Sequence, residues 1–152
     1  MNQSVQPPTA AFVGASLGAL VLGVGAYLYG LWNADMQLNE KGYYLCLILY
    51  GLFSAVSLQK SVRDRLEGIP VTNMYYSLCW FSLLAALMLL GVGLWNAALA
   101  ASEKGFYLMS YVLSLFAVVT IQKNVRDSAG QSDHLVIQES EPHSDEGSNR
   151  LD

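Results

Sequence analysis

The chain has 152 residues, of which 53% are hydrophobic and only 13% charged, with a net charge of -4. Soluble domains carry roughly 25% charge, so an ordinary water-soluble fold is excluded. Eight Lys plus Arg against twelve Asp plus Glu also exclude a nucleic-acid binder, which needs a basic face. The deficit of charge is patterned. No Asp, Glu, Lys or Arg occurs in residues 1–34, 42–59, 68–102 or 105–122, runs of 34, 18, 35 and 18 residues. A membrane protein is what this pattern describes.

A spanning helix needs about 20 apolar residues, because the hydrocarbon core is roughly 30 Å thick and a helix rises about 1.5 Å per residue. The segment before the first span, residues 1–9, has no Lys or Arg. Pro7 and Pro8 stop any upstream helix. The first span, 11–32, is longer than the apolar part of a signal peptide and lacks its basic start, so it reads as a retained helix. The second span, 43–60, is apolar from Tyr43 to Leu58, and Gln59 and Lys60 extend it to the headgroups. Gly68 and Pro70 mark a stop in the following loop, 65–74, and Thr72 or Asn73 caps the third span, 75–95. The fourth, 106–123, again ends in Gln-Lys. Asn39 and Ser102 stand where N-caps are wanted, each followed by Glu in the first turn. In lipid all four spans must be helical, since every backbone group needs an internal partner. Trp32, Tyr43, Tyr44, Trp95, Phe106 and Tyr107 form one aromatic belt, and Tyr75, Tyr76 and Trp80 lie near the opposite interface. The tail, 128–152, has six acidic residues against one Arg, a composition expected to be disordered.

Basic residues set orientation. The loops at 33–41 and 96–104 hold one Lys each, Lys41 and Lys104. The stretch 60–74, the inner end of the second span and the loop after it, holds Lys60, Arg63 and Arg65, and the tail opens with Lys123 and Arg126. Five against two predicts a cytoplasmic central loop, N-terminus and C-terminus.

The chain also repeats itself. Residues 30–64 align with 93–127 at a constant offset of 63, with 18 identities in 35 positions. GLWNA recurs, EKGYYL returns as EKGFYL, and QKSVRD returns as QKNVRD. Chance apolar similarity does not preserve Trp-Asn, Glu-Lys-Gly and Arg-Asp in register. The expected fold is therefore all-α, four transmembrane helices built as two tandem helical hairpins, 10–64 and 75–127. An even number of spans per unit makes the repeat parallel, with a pseudo-two-fold along the membrane normal. Inverted repeats underlie most alternating-access transporters, so this arrangement weighs against one.

GLWNADMQLNEKGYY, QKSVRDRLEGIP, GLWNAALAASEKGFY and QKNVRD together resemble the YiaA/YiaB two-helix-domain family of bacterial inner-membrane proteins. The resemblance covers about residues 10–127. It implies a multi-pass location in the bacterial inner membrane and brings no activity with it.

Three groups of residues are candidates for function, and each has a plain structural explanation beside it. Trp32, Asn33, Glu40, Lys41, Trp95, Asn96, Glu103 and Lys104 gather at one membrane face. They either rim a polar site or dock a partner, or they anchor the interface and end and start helices; the structural account covers every one of them. Lys60, Arg63, Arg65, Lys123 and Arg126 meet anionic headgroups or a partner, each contact worth roughly 1 kcal/mol. Lys60–Asp64 and Lys123–Asp127 are spaced to pair across one helical turn. Gly14, Gly18 and Gly25 form a small-residue face on the first span, for packing within the bundle or against a second copy.

No Asp, Glu, Lys, Arg or His lies deep in any span, which argues against an ion-coupled carrier. Cys46 and Cys79 fall at different depths and read as small apolar residues. His134 and His143 have no third ligand at a metal spacing. No catalytic motif, metal site or cofactor is indicated. The reading is a non-enzymatic interaction or structural membrane protein whose partners are lipid, a second copy or another membrane subunit, with a small oligomeric channel or exporter as the alternative.

Overall fold

A computed structural model describes the backbone of residues 9–140 and the side chains of residues 9–125. Four helices occupy it: α1 (Ala10–Asn33), α2 (Leu38–Leu66), α3 (Asn73–Asn96) and α4 (Ala101–Ser140). All four are long and apolar enough to cross a membrane. Short loops, 34–37 and 97–100, join the helices at one end of the bundle, called here the short-loop end. The loop 67–72 lies at the other end.

Local chemistry explains each boundary. The Thr9 and Thr72 hydroxyls accept from the Phe12 and Tyr75 amides at 3.3 Å, capping α1 and α3. The caps of α2 and α4 lie two residues earlier than Asn39 and Ser102. The reason is the glutamate at the third helical position: Glu40 accepts from the Gln37 amide at 3.0 Å, and Glu103 from the Ala100 amide at 2.8 Å. At the end of α2, Gly68 has a positive φ of 75°. The Ile69 amide bonds the Asp64 carbonyl at 2.8 Å and the Gly68 amide the Arg65 carbonyl at 3.2 Å, the pair of bonds that closes a Schellman motif.

Helix α4 runs on to Ser140, so residues 128–140 are helical where their composition predicts disorder. The segment contains no proline before Pro142, and a helix already started adds a hydrogen bond with each further residue. The remaining tail, 141–152, lies outside the described residues.

The helices joined by the short loops are not each other's main neighbours. Helix α1 packs chiefly along α4, and α2 along α3; α2 and α4 meet over a smaller area, and α1 touches α2 only slightly. Close approach happens at glycines. A Cβ on Gly23 would stand 2.7 Å from the Ser114 Oγ, and one on Gly51 would collide with the Tyr111 hydroxyl. Gly30 of α1 abuts Phe106 and Tyr107 of α4, and Gly93 of α3 abuts Tyr43 and Tyr44 of α2. Each of these last contacts sets GLWNA of one sequence unit against the paired aromatics of the other, at positions 63 apart.

Most hydroxyls inside the bundle bond to a backbone carbonyl, whereas that of the buried Ser54 has no partner among the described residues. Tyr27 donates to the Tyr44 carbonyl at 3.0 Å and Tyr111 to the Leu47 carbonyl at 3.1 Å. Ser16, Ser110, Ser114 and Thr120 donate to the carbonyl four residues earlier, at 2.7–2.9 Å. Toward the other end, Asn124 donates to Ser16 at 3.2 Å, and Ser61 lies 3.3 Å from Cys79. These two contacts again fall at positions 63 apart, and Cys46 and Cys79 are both free thiols.

Adding one methyl tests this packing. Gly23→Ala and Gly51→Ala are expected to lower stability by about 1–3 kcal/mol, the usual cost of overpacking. Gly91→Ala, where a Cβ meets nothing within 4 Å, is expected to be neutral. Thermal unfolding of the three variants in one detergent makes the comparison.

Candidate functional site at the short-loop end

The two repeated motifs assemble at the short-loop end, and each builds the same local device. Lys41 reaches back to donate to the Trp32 carbonyl at 3.0 Å, and Lys104 does the same to Trp95 at 3.3 Å. This satisfies a carbonyl left open at the helix end and places a cation where the helix dipole is negative. Asn33 and Asn96 donate through Nδ2 to the carbonyls of Tyr29 and Val92, both at 2.8 Å. Trp32 and Trp95 are 83% and 86% exposed, so both indoles project away from the bundle at the level where aromatic belts form.

Two cavities at this end are related by the repeat. The first, about 270 Å³, is lined by Asp35, Asn39, Glu40, Tyr44, Gly93 and Asn96 among others. The second, about 300 Å³, is lined by Gly30, Asn33, Ser102, Glu103, Phe106 and Tyr107 among others. Each residue lining the second has a counterpart in the first at the offset of 63, Asp35, Met36, Ala98 and Leu99 line the first alone, and each cavity draws residues from both sequence units. They are not equal in charge: the first holds two carboxylates, Asp35 and Glu40, and the second holds Glu103 alone.

Four tyrosines sit beneath the cavities. Tyr27 meets Tyr107 edge-on with centroids 5.5 Å apart, and Tyr44 stacks on Tyr107 at 6.1 Å and 21°. Tyr43 meets Tyr44 edge-on at 5.3 Å, and its hydroxyl donates to the Leu89 carbonyl of α3 at 2.6 Å. Such pairs contribute about 0.5–1.5 kcal/mol beyond their buried area.

The other candidates lie elsewhere. Arg63 pairs with Glu67 one turn on, and no Lys60–Asp64 pair forms among the described residues. Arg65 bonds Asn73 and lies 4.2 Å over the Tyr76 ring, bridging α2 to the start of α3. Lys60 and Lys123 are exposed, and the Arg126 and Asp127 side chains lie outside the described residues. A Cβ at Gly14, Gly18 or Gly25 would meet nothing within 4 Å. The bundle-packing glycines are instead Gly23, Gly30, Gly51 and Gly93. Sequence reasoning passed over Gly23, Gly51, Asp35 and the tyrosine cluster. Only the recurrence of an aromatic pair after each Glu-Lys-Gly pointed toward the last of these. Among the described residues no three His, Cys, Asp or Glu side chains group as metal ligands.

Four helices long and apolar enough to cross a membrane, with no charge deep in any span, define a multi-pass α-helical membrane protein. Comparison with known proteins gives its family. The model for the yiaA/B two helix domain matches twice, at residues 12–64 and 75–127, and the chain belongs to that family. It is 53% identical over 128 residues to the Inner membrane protein YiaA of Escherichia coli (strain K12), covering 84% of this chain and 88% of that protein. It is 38% identical over 60 residues to the Uncharacterized membrane protein YubF of Bacillus subtilis (strain 168), covering 39% of this chain and 69% of that protein. No solved structure matches. An inner-membrane, multi-pass location follows from the relatives and the four helices.

Removing the glutamate at the third helical position tests the local device. Glu40→Ala or Glu103→Ala is expected to cost about 0.3–1 kcal/mol, the usual worth of a carboxylate in the first helical turn. Hydrogen exchange should quicken at the Gln37 or Ala100 amide, respectively, and leave the centre of the helix unchanged.

Proposed function

We propose that this protein is a non-catalytic inner-membrane subunit that works by packing against a second copy of itself through α1. The observation that carries this reading is the Gly14, Gly18 and Gly25 face, where a Cβ would meet nothing within 4 Å. On the same helix Gly23 and Gly30 are in close contact with α4. Small residues on a lipid-facing stripe let two helix backbones approach, which is the main source of association where lipid supplies no hydrophobic drive. The interior supports the non-catalytic part of the reading. No Asp, Glu, Lys, Arg or His lies deep in any span, and the buried tyrosine hydroxyls Tyr27 and Tyr111 are engaged by backbone carbonyls.

Replacing Gly14 and Gly18 with Leu is expected to shift cross-linked protein in native membranes from oligomer to monomer, with the thermal stability of the bundle unchanged. An unaltered cross-linking pattern overturns the contact. Solute flux through liposomes holding the purified protein would replace this reading with a pore formed by several copies.

The orientation belongs to the same proposal. Lys60, Arg63, Arg65, Lys123 and Arg126 put the 67–72 loop and both termini in the cytoplasm. A reporter active only outside the cytoplasm is expected to be silent when fused to the C-terminus and active when inserted in the 97–100 loop.

A further inference from the structure

We propose that the cavity between Asp35, Glu40, Asn96 and Tyr44 at the short-loop end is a binding site for a small organic ammonium group. Three observations converge there. First, the free polar atoms are acceptors. The Asn96 amide nitrogen is committed to the Val92 carbonyl at 2.8 Å, which leaves its Oδ1 available. One oxygen of Glu40 accepts from the Gln37 amide, which leaves the other. Asp35 forms no ion pair or hydrogen bond through its side chain among the described residues. Two carboxylates and an amide oxygen call for a cation.

Second, Tyr44 is only 4% exposed and lines this cavity. Its ring packs on Tyr43 and Tyr107, but its hydroxyl makes no hydrogen bond among the described residues. That hydroxyl stands 3.3 Å from where a Cβ on Gly93, another lining residue, would sit. With no hydrogen bond of its own and its residue lining the cavity, it is available here to accept an N–H from an occupant.

Third, the walls suit an organic cation over a metal ion. Tyr43 and Tyr44 supply aromatic rings, which attract ammonium groups. Calcium takes 6–8 oxygen ligands, whereas no three acidic, His or Cys side chains group together among the described residues. At about 270 Å³ the space lies just below the ~300–1,000 Å³ of drug-sized sites, so the occupant is small. Its position at the membrane interface admits two sources of the same chemistry, a soluble amine or the ammonium of a lipid headgroup.

The second cavity serves as an internal control. It has the matching glutamate, asparagine and tyrosine, but only one carboxylate. The structure therefore assigns one ammonium site per chain, not two.

The test uses the full-length protein in nanodiscs of phosphatidylglycerol, which carries no amine, with ethylammonium as the probe followed by saturation-transfer NMR. Saturable binding is expected. Asp35→Asn should weaken it at least tenfold and Tyr44→Phe several-fold, while Glu103→Gln leaves it unchanged. Ala98→Asp, which adds a third carboxylate to the same cavity, should tighten it. Asp35 is exposed, so its substitution leaves the fold intact, which circular dichroism of each variant checks. Including phosphatidylethanolamine in the discs separates the sources. Competition with the probe identifies the lipid headgroup, and undiminished probe binding identifies a soluble amine; both support the site. Absence of binding to the unaltered protein overturns the proposal. So does equal weakening by Asp35→Asn and Glu103→Gln, or displacement of the probe by calcium at lower concentration than by ethylammonium itself.

Discussion

The bundle depends on aromatic rings closing onto glycines of another helix. In lipid there is no hydrophobic force to press helices together, because the surrounding tails are as apolar as the side chains. Helices associate only where their surfaces fit closely and where polar groups find partners. Gly23, Gly30, Gly51 and Gly93 provide the close fit, and Ser114, Phe106, Tyr111 and Tyr43 fill the space they leave. The tyrosines among them also carry hydroxyls into the interior, where the Leu47, Tyr44 and Leu89 carbonyls accept from Tyr111, Tyr27 and Tyr43. The same residues thus supply dispersion, shape and hydrogen bonding between helices.

Apart from the Tyr27–Tyr44 bond, which lies within the first unit, these contacts run between the two sequence units. Gly30 meets Phe106 and Tyr107, and Gly93 meets Tyr43 and Tyr44. Asn124 meets Ser16, and Ser61 meets Cys79. Each unit gives its glycine helix to the other's aromatic helix, so neither hairpin buries its own packing face. The short loops then have a different task. The Lys41–Trp32 and Lys104–Trp95 bonds close each turn locally, while the main packing is made with the opposite unit. The two repeat-related cavities at that end are a consequence, since each draws its lining from both units.

Much of this was legible in the sequence because membrane physics leaves few choices. A charge-free run of sufficient length can only be a helix, so the four elements and their order could be read directly. Thr72 as a cap and Gly68 as a stop were visible because their chemistry is local. The polar motifs make local hydrogen bonds. Asn33 and Asn96 close helix ends, and Glu40 and Glu103 begin them. The small-residue face of α1 was visible too, but its partner was not. In an all-apolar helix the hydrophobic pattern has no polar side to mark which face turns inward, and Gly14 and Gly23 look alike. Nor could spacing alone choose Arg63–Glu67 over Lys60–Asp64, since both are four apart.

By itself, then, the sequence determined the membrane environment, the number of helices, the family and the recurrence of motifs every 63 residues. Each of these follows from hydropathy, residue chemistry or identity along one chain. Only the tertiary structure decided which helices are neighbours, which glycines are filled and which lie open. It alone brought Asp35, Glu40 and Tyr44 together with Asn96 from the other unit. The physical reason is that helix pairing in lipid is settled by steric fit between faces distant in sequence. That fit depends on where side chains meet, and a linear pattern of apolar residues does not record it.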